Sequence, residues 1–224
     1  QDGSRAIILS QSHVLVVDVD TQSILTEYPL ALDADYQLEP SGATLSPDER
    51  YVLLTIEGQA DLYKLDLETV SIDMEALDGV PSDITSDEST ATTVLVYETQ
   101  TQVDVIVEHE FIERETISLD EPASDVITTN GMAVLFNQDQ HTYRDIIRLD
   151  LTTMETVEYV VDNPVANLRV TADGQFAVAT LKPSTEWDRG DLQGYQSSRW
   201  GLAVADLSSD DIVSLVLESE PEGV

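Results

Sequence analysis

Ser46-Pro47-Asp48-Glu49-Arg50-Tyr51-Val52-Leu53-Leu54 sets a tight turn directly against an apolar run. Proline pre-sets one backbone angle, and a following aspartate can bond its own local backbone, so the first five residues read as a turn. Tyr51 to Leu54 then reads as a strand. The pair returns along the chain. Asp2-Gly3 precedes Ala6-Ile7-Ile8-Leu9, Ser86-Asp87-Glu88 precedes Thr93-Val94-Leu95-Val96, Asn130-Gly131 precedes Met132-Ala133-Val134-Leu135, and Asp173-Gly174 precedes Phe176-Ala177-Val178. The turn positions 2, 48, 87, 130 and 173 lie 46, 39, 43 and 43 residues apart. A fixed period of this size marks a repeat architecture.

A second marker follows each turn, an alternating strand that closes on an acidic residue. It stands at Asp18, Asp66, Glu108, Asp150 and Asp206, with intervals of 48, 42, 42 and 56. Each unit reads as four short strands, for example Gly42 to Leu45, Tyr51 to Thr55, Ala60 to Leu65 and Val70 to Leu77. Helical periodicity is absent. A sandwich would also give short strands, but not one turn and one acidic marker at a common period. The pattern predicts an all-β fold, a β-propeller of about five four-stranded blades in one domain. The units span about 1–31, 32–77, 78–119, 120–162 and 163–218. Unit 1 starts at its second strand, so the units form either a small five-bladed ring with one incomplete blade or part of a seven- or eight-bladed ring. A sheet edge left open in this way invites pairing with missing blades or another chain.

The turns at Ser46 to Val52 and at Thr171-Ala172-Asp173-Gly174-Gln175-Phe176-Ala177-Val178 resemble the S-P-D-G-(K/R)-x-hydrophobic turn of YVTN-type, TolB-like and WD40-like propeller repeats. The Gly-His and Trp-Asp dipeptides of true WD40 blades are missing. The resemblance implies the architecture. It also implies that the loop between the second and third strands of a blade shares a face with the blade-to-blade connections, the face that commonly carries ligands.

Charge bounds the partners. Forty-four acidic residues face ten basic ones, a net charge of -34 spread over the whole chain. Such a field repels phosphates, which argues against nucleic acid. No apolar run reaches the 18 residues of a membrane-spanning segment, so membrane insertion is not expected. The coat suits a protein in high salt, secreted, periplasmic or on the cell surface, where screening removes self-repulsion; the competing reading is a surface for cationic partners. No cysteine is present, so disulfides are excluded.

Little in the sequence points to chemistry. There is no G-x-S-x-G elbow, no phosphate loop and no metal-ligand spacing among His13, His109 and His141, so no catalytic residue, metal or cofactor is assigned. The long last interval comes from residues 183–199, which interrupt two strands. This insertion holds Trp187, Arg189, Asp191 and Tyr195, and abuts Trp200. Trp, Tyr and Arg dominate binding energy at interfaces, so these five residues are the candidate binding site for a protein or peptide. Arg189-Gly190-Asp191 spells an integrin-recognition tripeptide, which the halophile-like composition argues against. Two alternatives stand beside this interaction module. One is a hydrolase, lyase or sugar-binding propeller using carboxylates at a channel mouth, drawn from Asp33, Asp35, Asp125, Asp188 and Asp191. The other is a structural segment of a larger assembly.

Overall fold

The computed structural model describes residues 4–10, 13–33, 36–37, 40–107, 113–138, 143–183 and 198–221. Every regular element in them is a strand. Blade 1 holds β1 (Arg5–Leu9), β2 (His13–Asp18) and β3 (Ser23–Pro29); a small hairpin, β4 (Ala31–Asp33) with β5 (Tyr36–Gln37), follows it. Blade 2 holds β6 (Pro40–Leu45), β7 (Tyr51–Ile56), β8 (Asp61–Asp66) and β9 (Ser71–Ala76). Blade 3 holds β10 (Asp83–Asp87), β11 (Thr92–Val96), β12 (Gln102–Val107) and β13 (Glu113–Ser118). Blade 4 holds β14 (Asp125–Thr129), β15 (Met132–Phe136), β16 (Asp145–Asp150) and β17 (Thr156–Val160). Blade 5 holds β18 (Val165–Val170), β19 (Phe176–Leu181), β20 (Gly201–Asp206) and β21 (Ile212–Val216).

Each blade is an antiparallel meander in chain order, four strands in blades 2 to 5 and three in blade 1. By the repeat, β1 corresponds to the second strand of the other blades, as the turn spacing requires. The β4–β5 hairpin is an addition that the period does not announce.

The core lies between blades rather than within one, because a four-stranded sheet has two faces and buries each against a neighbour. Along β15, Val134 and Phe136 face blade 5, while Ala133 and Leu135 face blade 3. The described apolar residues accordingly form four clusters, one at each junction of successive blades. Polar links cross the same junctions, and their sequence separations equal the repeat. Thr44 bonds Ser86 across 42 residues, Thr85 bonds Thr128 across 43, the Val126 N–H donates to Asp83 across 43, and the Gly131 N–H donates to Asp87 across 44. Equivalent positions of consecutive blades touch, which is the period expressed in space.

Both sequence markers prove to be turn chemistry. Ser46 Oγ donates to Asp48 Oδ1 at 2.6 Å, the Arg50 N–H donates to the same oxygen at 3.1 Å, and the Tyr51 N–H donates to Ser46 Oγ at 2.8 Å. Thr171 and Asp173 repeat the pattern at 2.6, 3.1 and 3.0 Å. The residue after each aspartate is left-handed, Gly174 at φ 70° and Glu49 at φ 59°. Glycine adopts that backbone freely, and a side chain there costs about 1–2 kcal/mol. The acidic marker caps the other hairpin of blades 1, 2, 4 and 5. Asp66 Oδ1 accepts from the Glu68 and Thr69 N–H groups at 2.8 and 3.0 Å, Asp150 Oδ1 from Thr152 and Thr153 at 2.8 and 3.0 Å, Asp206 Oδ1 from Ser208 at 2.9 Å, and Asp18 Oδ1 from Thr21 at 2.7 Å. These donors hold all four carboxyls below the usual carboxylate range. Glu108, the marker of unit 3, lies outside the described residues.

Candidate functional site

An antiparallel meander puts its second-to-third-strand loop and its exit to the next blade at the same end. Backbone bonds show this in every full blade: Leu77 N–H donates to Ala60 O, Leu119 to Thr101 O, Val161 to Arg144 O, and Leu217 to Trp200 O. At this end blades 2 and 3 close with the short loops 57–60 and 97–101, whereas blade 4 carries 137–144 and blade 5 carries 182–200. The two longest loops therefore rise from adjacent blades.

Their roots are clamped together. Lys182 Nζ donates to Gln138 O at 2.7 Å, joining the foot of one loop to the foot of the other. Asn163, 2% exposed, donates from Nδ2 to Arg199 O at 3.1 Å, and the Lys182 N–H donates to Pro164 O at 2.9 Å. Asn137, also buried, donates from Nδ2 to Pro122 O at 3.3 Å, and the Gln138 N–H donates to Ser124 Oγ at 3.1 Å. Of the five candidate binding residues, Trp200 stands half-buried at this root, directly before β20. Trp187, Arg189, Asp191 and Tyr195 lie outside the described residues.

The same end carries a carboxyl cluster that the sequence reading missed. Asp145, the first residue of β16, is pushed up to about 7, first by burial and then by a hydrogen bond and repulsion from Glu121. Glu158 on β17 is also raised, by burial and by Asp120 and Glu121. Two neighbouring carboxyls that lose water hold one proton between them more readily than two charges. Because the folded pKa of Asp145 exceeds its unfolded one, its contribution to stability is present below about pH 4 and is lost as pH rises through about 7. Asp145→Asn keeps the shape without the charge. We expect it to raise the melting temperature at pH 8 by roughly 2–4 °C, the shift that about 1 kcal/mol gives a chain of this length, and to leave it unchanged at about pH 3, where the carboxyl is protonated in the folded and unfolded chain alike. Equal shifts at both pH values would show that proton sharing contributes nothing.

The carboxylates proposed for a channel mouth are not shown to converge. Asp125 opens β14 and accepts from Ser124 Oγ, Asp33 lies in β4, and Asp35, Asp188 and Asp191 are outside the described residues. Among the described residues no group of three or more His, Asp or Glu has the arrangement of a metal site. His13 opens β2 with Nε2 3.7 Å from Glu27 Oε1; His109 and His141 are outside the described residues.

The opposite end holds a cavity of about 490 Å³ lined by Ser86, Asp87, Glu88, Ser89, Thr128 and Asn130. Its chemistry is committed to the scaffold. Burial acts to raise Asp87, but donors from Ser89, Thr90 and Gly131 outweigh it and hold the carboxyl below the usual range.

With strands, blades and junctions in place, the fold is a β-propeller arc, and solved structures agree. The chain is similar to the hydrazine synthase of Kuenenia stuttgartiensis, with 16% identity, a TM-score of 0.69, and 99% of this chain covered against 66% of that one. It is similar to the WD40 repeats of RRP9, with 10% identity, a TM-score of 0.65, and 93% of this chain against 58%. The propeller domain of Cps50 (Swd1) from Myceliophteria thermophila gives 12% identity, a TM-score of 0.54, and 96% against 82%. At these identities the likeness shows the fold alone. The chain spans less than two thirds of the hydrazine synthase and RRP9 chains. No protein-family model matches it, and no curated protein sequence does.

Proposed function

We propose that this propeller arc is a non-catalytic interaction module that binds a protein or peptide at the end carrying the 183–199 insertion. Trp187, Arg189, Asp191, Tyr195 and Trp200 serve as contacts. The observation that carries the reading is the clamped pair of roots. Lys182 and Asn163 hold the feet of the longest loops on rigid strands, an arrangement that presents a loop from a fixed base. WD40-repeat structures among the neighbours support an interaction role in general terms. The acidic coat supports a salty setting for the module, secreted, periplasmic or at the cell surface.

The test compares capture from an extract of the source organism by this chain and by a variant in which 183–199 is replaced by a short glycine-containing turn. We expect the same melting temperature for both and loss of the retained partner from the variant alone. If both retain the same set, the loop is not the binding site.

A second reading, acid–base or sugar chemistry at the same end, rests on Asp145, whose carboxyl is pushed up to about 7 by burial and by the neighbouring Glu121. It predicts a ligand whose retention depends on Asp145 and survives replacement of the loop.

A further inference from the structure

Every forward-facing sheet surface of blades 1 to 4 is covered by the next blade, and among the described residues no blade covers the fifth. On blade 4 that surface holds Val134 and Ile146, both 0% exposed, with Tyr159 at 1%. They pack against the opposite surface of blade 5, which carries Ala177, Ala179, Ala203 and Ala205. Strand register places Val178, Val204 and Val213 in one row of blade 5's forward face, and Leu202 and Leu215 in the next, with Phe176 beside them. These positions match those that blade 5 buries on blade 4. Here Phe176 is 37% exposed, Leu215 55% and Val213 61%.

We infer that the forward face of blade 5 is a docking surface for a further antiparallel β-blade of the same repeat, one whose rear face is apolar as those of blades 2 to 5 are. The four existing junctions define what fits. At three of them a row of apolar side chains takes large ones on the next sheet, such as Val52, Leu54 and Leu65 of blade 2 or Leu135, Ile147 and Leu149 of blade 4, and at the fourth it takes the alanines of blade 5. A second copy of this chain is the poorer occupant for two reasons. Among the described residues the rear face that no other blade covers is that of blade 1, and it lacks the innermost strand that the rear faces of blades 2 to 5 all present. Two copies would also bring together chains of charge -34 each. Solved propellers support the inference, since this chain spans only 66% and 58% of two of them.

The chain contains no cysteine, so one introduced thiol reports local access cleanly. Val213→Cys probes the bare face, and Thr152→Cys, in the blade 4 hairpin, serves as control. Each is placed in the 224-residue chain and in an extended chain in which a second copy of residues 163–217 follows residue 217. Labelling with a neutral maleimide is expected to slow by about tenfold or more at position 213 on extension and to be unchanged at 152. Labelling of 213 at the same rate in both chains overturns the proposal, whether the added unit folds elsewhere or not at all. Protection of 213 in the unextended chain that grows with protein concentration assigns the face to a second copy and overturns it equally.

Discussion

Asp104→Ala is expected to lower stability by about 3–5 kcal/mol, the cost of breaking a buried charged cluster from one side. Asp104 lies on β12 and is 0% exposed. Tyr97 Oη donates to its Oδ2 at 2.5 Å, Thr116 Oγ1 donates to its Oδ1 at 2.6 Å, and Arg114 Nε stands 3.8 Å from Oδ2. Arg114 in turn reaches across the junction to blade 2, donating to Ala76 O and to Asp78 Oδ2, each at 3.3 Å. One carboxylate therefore organises the polar side of a junction whose apolar side is Leu53, Leu62, Leu95 and Ile106. Burial and the Asp104 charge push the Tyr97 phenol far up, so it stays a donor at any working pH. Removing Asp104 strands two hydroxyls and leaves the guanidinium without a buried counter-charge, and each stranded group costs about 1–3 kcal/mol. Asp104→Asn should be milder, because the amide retains one acceptor. Combining Asp104→Ala with Tyr97→Phe should cost less than the sum, since the partner goes with the group it served. Urea denaturation of the three variants checks this. A loss below about 1 kcal/mol for Asp104→Ala would mean that the apolar contacts hold the junction unaided.

That cluster shows where sequence reading stopped. The architecture was legible because turn and cap residues act locally: Asp48 bonds its own turn, Asp66 its own hairpin, and such residues recur wherever the backbone recurs. Junction chemistry is non-local. Asp104 occupies the third place of its strand, where other blades carry Tyr63, Ile147 and Ala203, so an acid inside an apolar run was a readable signal. What it would meet could not be read, since Asp78 and Arg114 stand 26 residues below and 10 above it in the chain. Asp145 escaped for a related reason. Among 44 acids, one whose neighbours are Glu121 and Glu158 looks like any other until three elements converge. The insertion was visible by its length and its aromatics, and its root was not, because Lys182 and Gln138 meet only when two blades stand side by side.

The melting temperature should rise by roughly 10 °C between about 0.1 M and about 1 M KCl, as the Debye length falls from about 10 Å to about 3 Å. A chain of 224 residues with 44 acids and ten bases cannot pair most of its carboxylates. Three of the described bases are already engaged. Arg50 serves Asp66 at 3.0 Å and Glu68 at 3.8 Å, Arg114 serves Asp78 and Asp104, and Lys64 sits 3.7 Å over the Tyr51 ring in a site buried enough to lower its pKa. Folding gathers the rest of the negative charge into a small volume, and that repulsion weakens as salt screens it. Salt also strengthens apolar burial, so the rise alone does not isolate charge. Neutralising exposed acids does. Replacing Asp20, Glu57, Glu155, Asp210 and Glu218 by their amides touches none of the caps at Asp18, Asp66, Asp150 or Asp206. It should lift the low-salt melting temperature and flatten the slope against salt. If instead the amide variant melts lower and keeps the full slope, the carboxylates stabilise through solvation or local bonds, and the self-repulsion argument fails together with the high-salt setting it supports.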